Sequence, residues 1–101
     1  MVKIIWTKKA FTQLERAIKY IKEEQGHSYA EIVLNKTLEK TRLLEKNPLI
    51  GQVEPLLKHK KSEYRYLVVW SYKIIYRVDK DKIIISRVFH TSRNPQKLKG
   101  I

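Results

Sequence analysis

The spacing of apolar residues changes once along this chain of 101 residues, from a helical to a strand-like period. In residues 8–44, apolar side chains recur at steps of three and four, which is the pattern of amphipathic helices. Residues 63–90 instead carry long runs rich in β-branched and aromatic side chains, which is typical of strands. A chain whose helices precede most of its strands is expected to fold as an α+β domain, with the helices packed on one face of a small antiparallel sheet.

Two helices are predicted in the first half of the chain. Residues 8–25 carry one apolar stripe, and Thr7 is a suitable N-cap because its hydroxyl can accept a free amide of the first turn. Gly26 is placed to end this helix. Ser28 opens a capping-box pattern that predicts the start of the second helix. Pro48 stops that helix, since the residue before a proline avoids the α region. The short break between the two helices predicts an antiparallel helical hairpin.

Four strands are predicted, at residues 2–6, 63–70, 72–79 and 82–90. The breaks between the last three are short enough for hairpins, so these strands are expected to form an antiparallel meander, joined at one edge by the N-terminal strand. The predicted order is β-α-α-β-β-β, in a single domain that spans residues 1–101. Residues 48–62 form the longest loop, and the sheet face away from the helices is expected to be open to solvent or a partner.

The charge balance is strongly positive, with 22 Lys and Arg against 10 Asp and Glu and a formal net charge of +12. Residues 1–46 carry 10 basic and 6 acidic side chains, whereas residues 47–101 carry 12 and 4. A small domain needs a net charge of only about 2–8 to stay in solution. The excess therefore predicts a polyanionic partner, which is nucleic acid, an acidic membrane surface or an acidic protein.

The expected location is the cytoplasm. No segment approaches the length of a membrane span, and the apolar run near the N-terminus is too short for the core of a signal peptide. The chain has no cysteine, which fits a reducing compartment. The protein is therefore expected to act where it is made, without a membrane partner.

Most enzyme classes find no support in the sequence. It contains no P-loop, no Rossmann glycine pattern, no paired carboxylate site and no nucleophilic cysteine. His27 and His59 lack the spacing of metal ligands, so no metal site, no cofactor and no small-molecule substrate are expected.

Four segments of the chain occur in an order and spacing that a known superfamily shares. Residues 43–51 (LLEKNPLIG) form a leucine-rich helix end followed by Pro and Gly. Three strand segments follow, at residues 64–68 (YRYLV), 72–78 (YKIIYRV) and 85–95 (ISRVFHTSRNP). Together they resemble the RelE/ParE superfamily of toxins from bacterial type II toxin–antitoxin systems. The resemblance covers nearly the whole chain and rests on the order of the segments, not on a single motif.

The resemblance implies a toxin with one of two targets. ParE-like members poison DNA gyrase, whereas RelE-like members are ribosome-dependent endoribonucleases that cut mRNA. The stretch around Pro48 and the His-x-x-Arg ending of the last strand, from His90 to Arg93, look closer to the ParE branch. Either target implies a cognate antitoxin whose segment wraps the toxin. A generic basic nucleic-acid-binding module is a third possibility, although no helix-turn-helix or RNA-recognition signature is present.

Three residues, Arg65, Arg87 and His90, are candidates for catalysis if the chain is RelE-like. The resemblance implies a transition-state arginine in the strand of Arg65, which is expected on the open face of the sheet to bind a phosphate. The alternative for Arg65 is an ion pair with Glu63 or Glu54. Arg87 could hold a phosphate, an antitoxin carboxylate or a neighbouring carboxylate. His90 could serve as general acid or base, or cap the strand end by bonding a backbone carbonyl.

Contacts with nucleic acid or with the target are predicted at five further basic residues, Lys58, Lys60, Lys61, Arg77 and Arg93. The three lysines lie in the longest loop, in a region where RelE-like members use lysines, and a solvated loop is the alternative. Arg77 shares one face of its strand with Lys73, where a solvated basic stripe is the alternative. Such charges supply affinity for phosphates without sequence specificity.

Overall fold

The computed structural model describes residues 2–92, and its order of helices and strands matches the predicted one apart from one additional two-residue strand. The elements are β1 (Lys3–Trp6), α1 (Lys8–Gln25), α2 (His27–Arg42), β2 (Gln52–Val53), β3 (Tyr64–Val69), β4 (Tyr72–Asp79) and β5 (Lys82–His90). Short 3₁₀ turns occupy Leu43–Glu45 and Pro55–Leu57. The α+β fold class, with a helical hairpin on a small sheet, is confirmed. Arg93 lies outside the described residues.

The sheet is mixed, with strand order β1-β5-β4-β3-β2. The meander of β3, β4 and β5 is antiparallel, as predicted. Strand β1 joins at the edge beside β5 but runs parallel to it, with Lys3 opposite Lys82 and Trp6 opposite Ile85. The helical hairpin carries the chain away from β1. The strand that pairs with β1 is therefore the last one, β5. The two-residue strand β2 was not predicted and extends the other edge beside β3.

Helix α1 starts as predicted, because the Thr7 hydroxyl accepts the amide of Ala10 at 3.1 Å. The same hydroxyl donates to the carbonyl of Ile85 at 2.9 Å and so ties the helix start to β5. Gly26 ends α1 with φ 97°, a backbone region that favours glycine. The predicted capping box at Ser28 is wrong. Because Gly26 turns the chain within one residue, α2 starts at residue 27 with Gly26 in the cap position and no side-chain cap.

The main hydrophobic core lies between the helices and the inner face of the sheet. We define this inner face by the buried or partly buried residues Leu67, Val69, Ile74, Tyr76, Ile83, Ile85 and Val88. Ala10 and Leu14 of α1 and Leu44 of the first 3₁₀ turn pack on it. Burial of a large aliphatic side chain stabilises the fold by about 1.5–3 kcal/mol, so this layer holds the helical hairpin in place.

The outer face of the sheet is partly covered by the chain's own loop, whereas an open face was predicted. We define the outer face by Tyr64, Tyr66, Lys73, Ile75, Arg77, Ile84, Arg87 and Phe89, which alternate with the inner residues. The 3₁₀ turn Pro55–Leu57 folds onto it and buries Leu57 against Ile75 and Phe89. Leu57 is 1% exposed, so the loop has an apolar anchor and is not a solvated connection. No described residue of another element covers the part of the outer face near β5 and β1.

Replacement of Lys80 by glycine should stabilise the protein by about 0.5–1 kcal/mol. Lys80 is exposed in the turn between β4 and β5 and has φ 57°, a conformation that costs a residue with a Cβ about 1–2 kcal/mol. Glycine removes this cost but loses part of the gain through its more flexible unfolded chain. Urea unfolding would measure the difference. Asp81→Gly, one residue later, is the matched control and should destabilise, because only Lys80 of the two has a positive φ.

Candidate functional site

The register places five described cations of the sheet on its outer face: Lys3, Lys73, Arg77, Lys82 and Arg87. Lys73 and Arg77 alternate along β4, and Arg87 of β5 lies opposite Ile75 between them. Arg77 makes a half-exposed ion pair with Asp79 at 3.4 Å. The Arg87 guanidinium donates to the carbonyl of Ser86 at 2.9 Å and has no carboxylate partner within residues 2–92. Arg77 and Arg87, together with the exposed Lys3 and Lys82, are therefore the described cations of this face near β1 and β5 that can reach an external anion.

Lys73 has a structural partner in a buried carboxylate. Its ammonium lies 3.0 Å from the carboxylate of Glu54 and 4.3 Å from the centre of the Tyr66 ring. The Glu54 side chain is fully buried, and it also accepts the amide of Leu56 at 3.4 Å. This ion pair fastens the covering loop to β4. The sequence hinted at it only through an isolated acidic residue, followed by Pro55, in a basic stretch.

The basic loop borders a cleft next to this ion pair. Lys58, Lys60 and Lys61 line a cleft of about 300 Å³, together with Leu57 and Tyr64. Within the described part of the chain, none of the three ammonium groups has an ion-pair partner, and Lys58 and Lys61 are exposed. The structure therefore keeps these predicted contact residues together, at the edge of the outer face.

Arg65 does not lie on the open face where it was predicted. By register it pairs with Tyr76 and so shares the inner side of the sheet. Its guanidinium donates to the carbonyl oxygens of Gly51 at 2.8 Å and Leu49 at 3.3 Å, and lies 2.6 Å from the Glu63 carboxylate. The alternative, an ion pair with Glu63, is the one observed. Arg65 acts as a brace for the loop that follows α2.

The three candidate catalytic residues do not converge on one site. His90 lies opposite Tyr72 and meets its ring edge-on at 4.9 Å, on the inner side of the sheet. Arg87 is on the outer face, and Arg65 is at the far end of the inner side, opposite Tyr76. A general acid or base must reach the same substrate atoms as the groups that stabilise the transition state. The arrangement therefore does not place His90 to act with either arginine.

Tyr76 binds the loop between α2 and β2 through its side-chain hydroxyl. Its buried hydroxyl donates to the carbonyl of Pro48 at 2.8 Å and accepts the amide of Gly51 at 2.9 Å. Burial raises the pKa of the Tyr76 phenol, while the hydrogen bond from Gly51 and the charge of Arg65 act in the opposite direction. The Pro48–Gly51 segment is thus fixed by two side chains of adjacent strands, Tyr76 and Arg65.

The stability of the protein should fall as the pH rises past the ordinary pKa of tyrosine, about 10. Below that pH the contribution of the protonated Tyr76 is fully present. Above it, the unfolded chain loses the phenolic proton before the folded chain does, so the free energy of unfolding decreases with pH. Urea unfolding at about pH 9 and about pH 11 would measure this slope. Tyr76→Phe should make the free energy of unfolding depend less steeply on pH. An equal slope in the variant would contradict the assignment of this pH dependence to Tyr76.

Two searches of the described region, for clusters of metal ligands and for membrane-spanning helices, gave no candidates. Among residues 2–92, no group of three or more His, Asp or Glu side chains lies close enough to hold a metal ion. Within the same residues, no helix is both long and apolar enough to cross a membrane.

Comparisons with known proteins found one matching family and solved structures of similar fold. The family described as "ParE toxin of type II toxin-antitoxin system, parDE" matches residues 4–95. A solved structure titled "Chromosomal ParDE TA system from P. aeruginosa" superposes with a TM-score of 0.76 at 21% identity, covering 91% of this chain and 98% of that chain. At this identity the likeness concerns the fold. No curated protein matches the chain.

Proposed function

This chain belongs to the ParE family of toxins from type II toxin–antitoxin systems, and we propose that it poisons DNA gyrase by binding, without chemistry of its own. As a type II toxin it has a cognate antitoxin as partner. The proposed place of action is the cytoplasm, where gyrase and the antitoxin are both present. Gyrase and ribosome-bound mRNA are the two targets to be distinguished.

The observation that carries the choice of gyrase is the separation of Arg65, Arg87 and His90. RNA cleavage needs a proton taken from the ribose hydroxyl, a proton given to the leaving oxygen and cations at the phosphate between them. Arg65 is engaged by two carbonyls and Glu63. His90 and Arg87 lie on opposite sides of the sheet. A binding protein needs no such convergence, so inhibition by docking is the simpler mechanism.

The surface proposed to contact the target is the uncovered part of the outer face with the adjoining basic loop. Arg77 and Arg87 provide two cations beside the exposed Ile5 of β1, whose side chain is on the same face as Ile84. Lys58 and Lys61 extend the positive surface toward β3. Arginine in a partly apolar surface is enriched among residues that dominate binding energy. These residues are thus proposed contacts, not catalysts.

The test places the purified toxin in two reactions: gyrase supercoiling of relaxed plasmid, and bacterial cell-free translation of a labelled mRNA. We expect inhibited gyrase and intact mRNA. Arg87→Gln should weaken the inhibition by about tenfold or more, because a loss of about 1.4 kcal/mol in binding is a tenfold change. Lys36→Gln, an equal charge change on the exposed side of α2, should inhibit as the wild type does. Ribosome-dependent mRNA cleavage with unaffected gyrase would overturn the proposal in favour of the hypothesis that the chain is a RelE-like endoribonuclease.

A further inference from the structure

A cleft on the helix side of the molecule has no part in the proposed gyrase contact. It lies between α1 and the C-terminal end of β5, and its volume is about 410 Å³. Gln13, Arg16 and Ala17 of α1 line one wall, and Val88 and His90 of β5 line the other. A cleft of this size can hold one or two side chains of a partner.

The lining combines an apolar floor with a polar rim. Ala17 is 7% exposed and Val88 is 6% exposed, so the floor is formed by side chains of the helix–sheet layer. Tyr72 adds an aromatic wall. Arg16 and His90 lie at the rim, and no acidic side chain from the described part of the chain lines the cleft. A ligand that fits here must present an apolar part and a polar part side by side.

Hydrogen bonds engage the acceptor atoms of His90 and Gln13 and leave the donor groups of both side chains free. The backbone amide of Ser92 donates to Nδ1 of His90 at 3.1 Å. Since a backbone amide can only donate, Nδ1 carries no proton and the neutral ring offers Nε2–H as a donor. The carbonyl oxygen of Gln13 likewise accepts the amide of Val88 at 2.8 Å, which leaves the Gln13 NH₂ group as a donor.

Among residues 2–92, Arg16 supplies the one fixed charge of this lining. Its guanidinium has no ion-pair partner within residues 2–92. Three free donor groups, on Arg16, His90 and Gln13, therefore surround a cleft with an apolar floor. Such a set of donors matches an acceptor with negative charge, because a carboxylate accepts hydrogen bonds and cannot donate them.

We propose that this cleft receives a carboxylate side chain from an acidic, partly apolar segment of the cognate antitoxin. This proposal rests on the family membership and deepens the toxin function. A nucleic acid would find one guanidinium and an apolar floor, whereas phosphate backbones are bound along rows of cations. An antitoxin segment can supply both an apolar side chain for the floor and a carboxylate for Arg16. The net charge of +12 also favours an acidic partner.

The experiment is a titration of the full-length toxin with its purified cognate antitoxin by isothermal calorimetry, at one fixed salt concentration. Arg16→Gln should weaken the affinity about tenfold or more, as expected when one member of a desolvated charge pair is truncated. Lys22→Gln is the matched control, because it removes the same charge from an exposed position of α1 outside the cleft. It should change the affinity less than twofold, or about 0.4 kcal/mol. Wild-type affinity of Arg16→Gln would overturn the proposal.

A second measurement identifies the carboxylate. Each Asp and Glu of the antitoxin is replaced by its amide and titrated against wild-type toxin and Arg16→Gln. One replacement should weaken binding to the wild type and have little further effect on Arg16→Gln, which is the signature of coupled residues. If no acidic position couples to Arg16, the carboxylate assignment is wrong.

Two further readouts distinguish a failure of the antitoxin proposal from a failure of the gyrase proposal. Without antitoxin, Arg16→Gln should inhibit gyrase as the wild type does, and a loss of that inhibition with unchanged antitoxin affinity would assign the cleft to the target instead. If wild-type toxin leaves gyrase untouched, the gyrase proposal fails, yet the antitoxin titrations still decide the role of the cleft. The circular dichroism spectrum of each variant verifies that the exposed substitution leaves the fold intact.

Discussion

Replacement of Lys73 by methionine should lower the free energy of unfolding by about 3 kcal/mol. Methionine keeps most of the length of the side chain but removes the ammonium that lies 3.0 Å from Glu54. The Glu54 carboxylate is then left fully buried without its counter-charge, and an unpaired buried charge costs about 3–5 kcal/mol. We expect the lower end of that range, because Lys73 is 24% exposed and water can enter the vacated space.

The matched control is Asp79→Asn, which breaks the ion pair between Arg77 and Asp79 on the same strand. Asp79 is 48% exposed, so its loss should cost less than about 1 kcal/mol. Urea unfolding followed by circular dichroism would measure both variants. A Lys73→Met protein within about 1 kcal/mol of the wild type would show that the buried pair contributes little to stability.

Adding Glu54→Gln to Lys73→Met should recover more than half of the lost stability. The amide has no charge to solvate and can still accept the amide of Leu56, which lies 3.4 Å from the Glu54 carboxylate. The two substitutions should therefore be strongly non-additive. Additive losses would mean that the two side chains act on separate parts of the loop.

The second large effect is expected from Gly51→Ala. A Cβ at this position would lie 2.6 Å from the Tyr76 hydroxyl and 2.8 Å from the backbone carbonyl of Tyr66. The carbonyl belongs to β3 and cannot move without breaking the sheet, so the loop must shift. We expect a loss of about 3 kcal/mol, the upper part of the range for overpacking. For a domain of this size the melting temperature should fall by roughly 10–20 °C.

A comparison of two glycines separates steric overlap from backbone strain. Gly26→Ala should also destabilise, but through its φ of 97°, since nothing lies within 4 Å of the added Cβ. Tyr76→Phe removes the hydroxyl that the Gly51 Cβ would overlap, so it should partly offset Gly51→Ala and leave the effect of Gly26→Ala unchanged. If Tyr76→Phe and Gly51→Ala add in full, the overlap with the Tyr76 hydroxyl is not the cause of the loss, which then falls to the ring carbon Cε1 at 2.7 Å and the Tyr66 carbonyl.

Features that depend only on residues close together in the sequence could be predicted from it. Thr7 was identified as the N-cap, because a cap needs only a hydroxyl at the start of an apolar stripe. The bounds of β4 and β5 were predicted correctly, since tight turns separate them. Ser28 was misassigned because two capping signals compete there, and the backbone freedom of Gly26 decides between them.

The side of the sheet on which Arg65 lies could not be predicted, because both faces of β3 carry apolar side chains. Tyr64 and Tyr66 pack on the outer face, while Leu67 and Val69 pack on the inner one. A strand with one solvated face alternates between polar and apolar residues, but a strand covered on both sides does not. Whether the outer face of β3 is covered depends on the fold of the loop that contains Glu54. The buried ion pair between Glu54 and Lys73 was missed for the same reason.

The parallel pairing of β1 with β5 has a consequence for how the toxin is made. Thr7 bonds the carbonyl of Ile85, and 78 positions of chain separate the two residues. At a synthesis rate of about 5–20 residues per second, roughly 4–16 s pass between the appearance of these two partners on the ribosome. The helical hairpin therefore emerges well before the strand that completes its docking surface. Until β5 is made, β1 has no strand to pair with and the Thr7 hydroxyl has no carbonyl to bond, so the folded domain forms only after translation of β5.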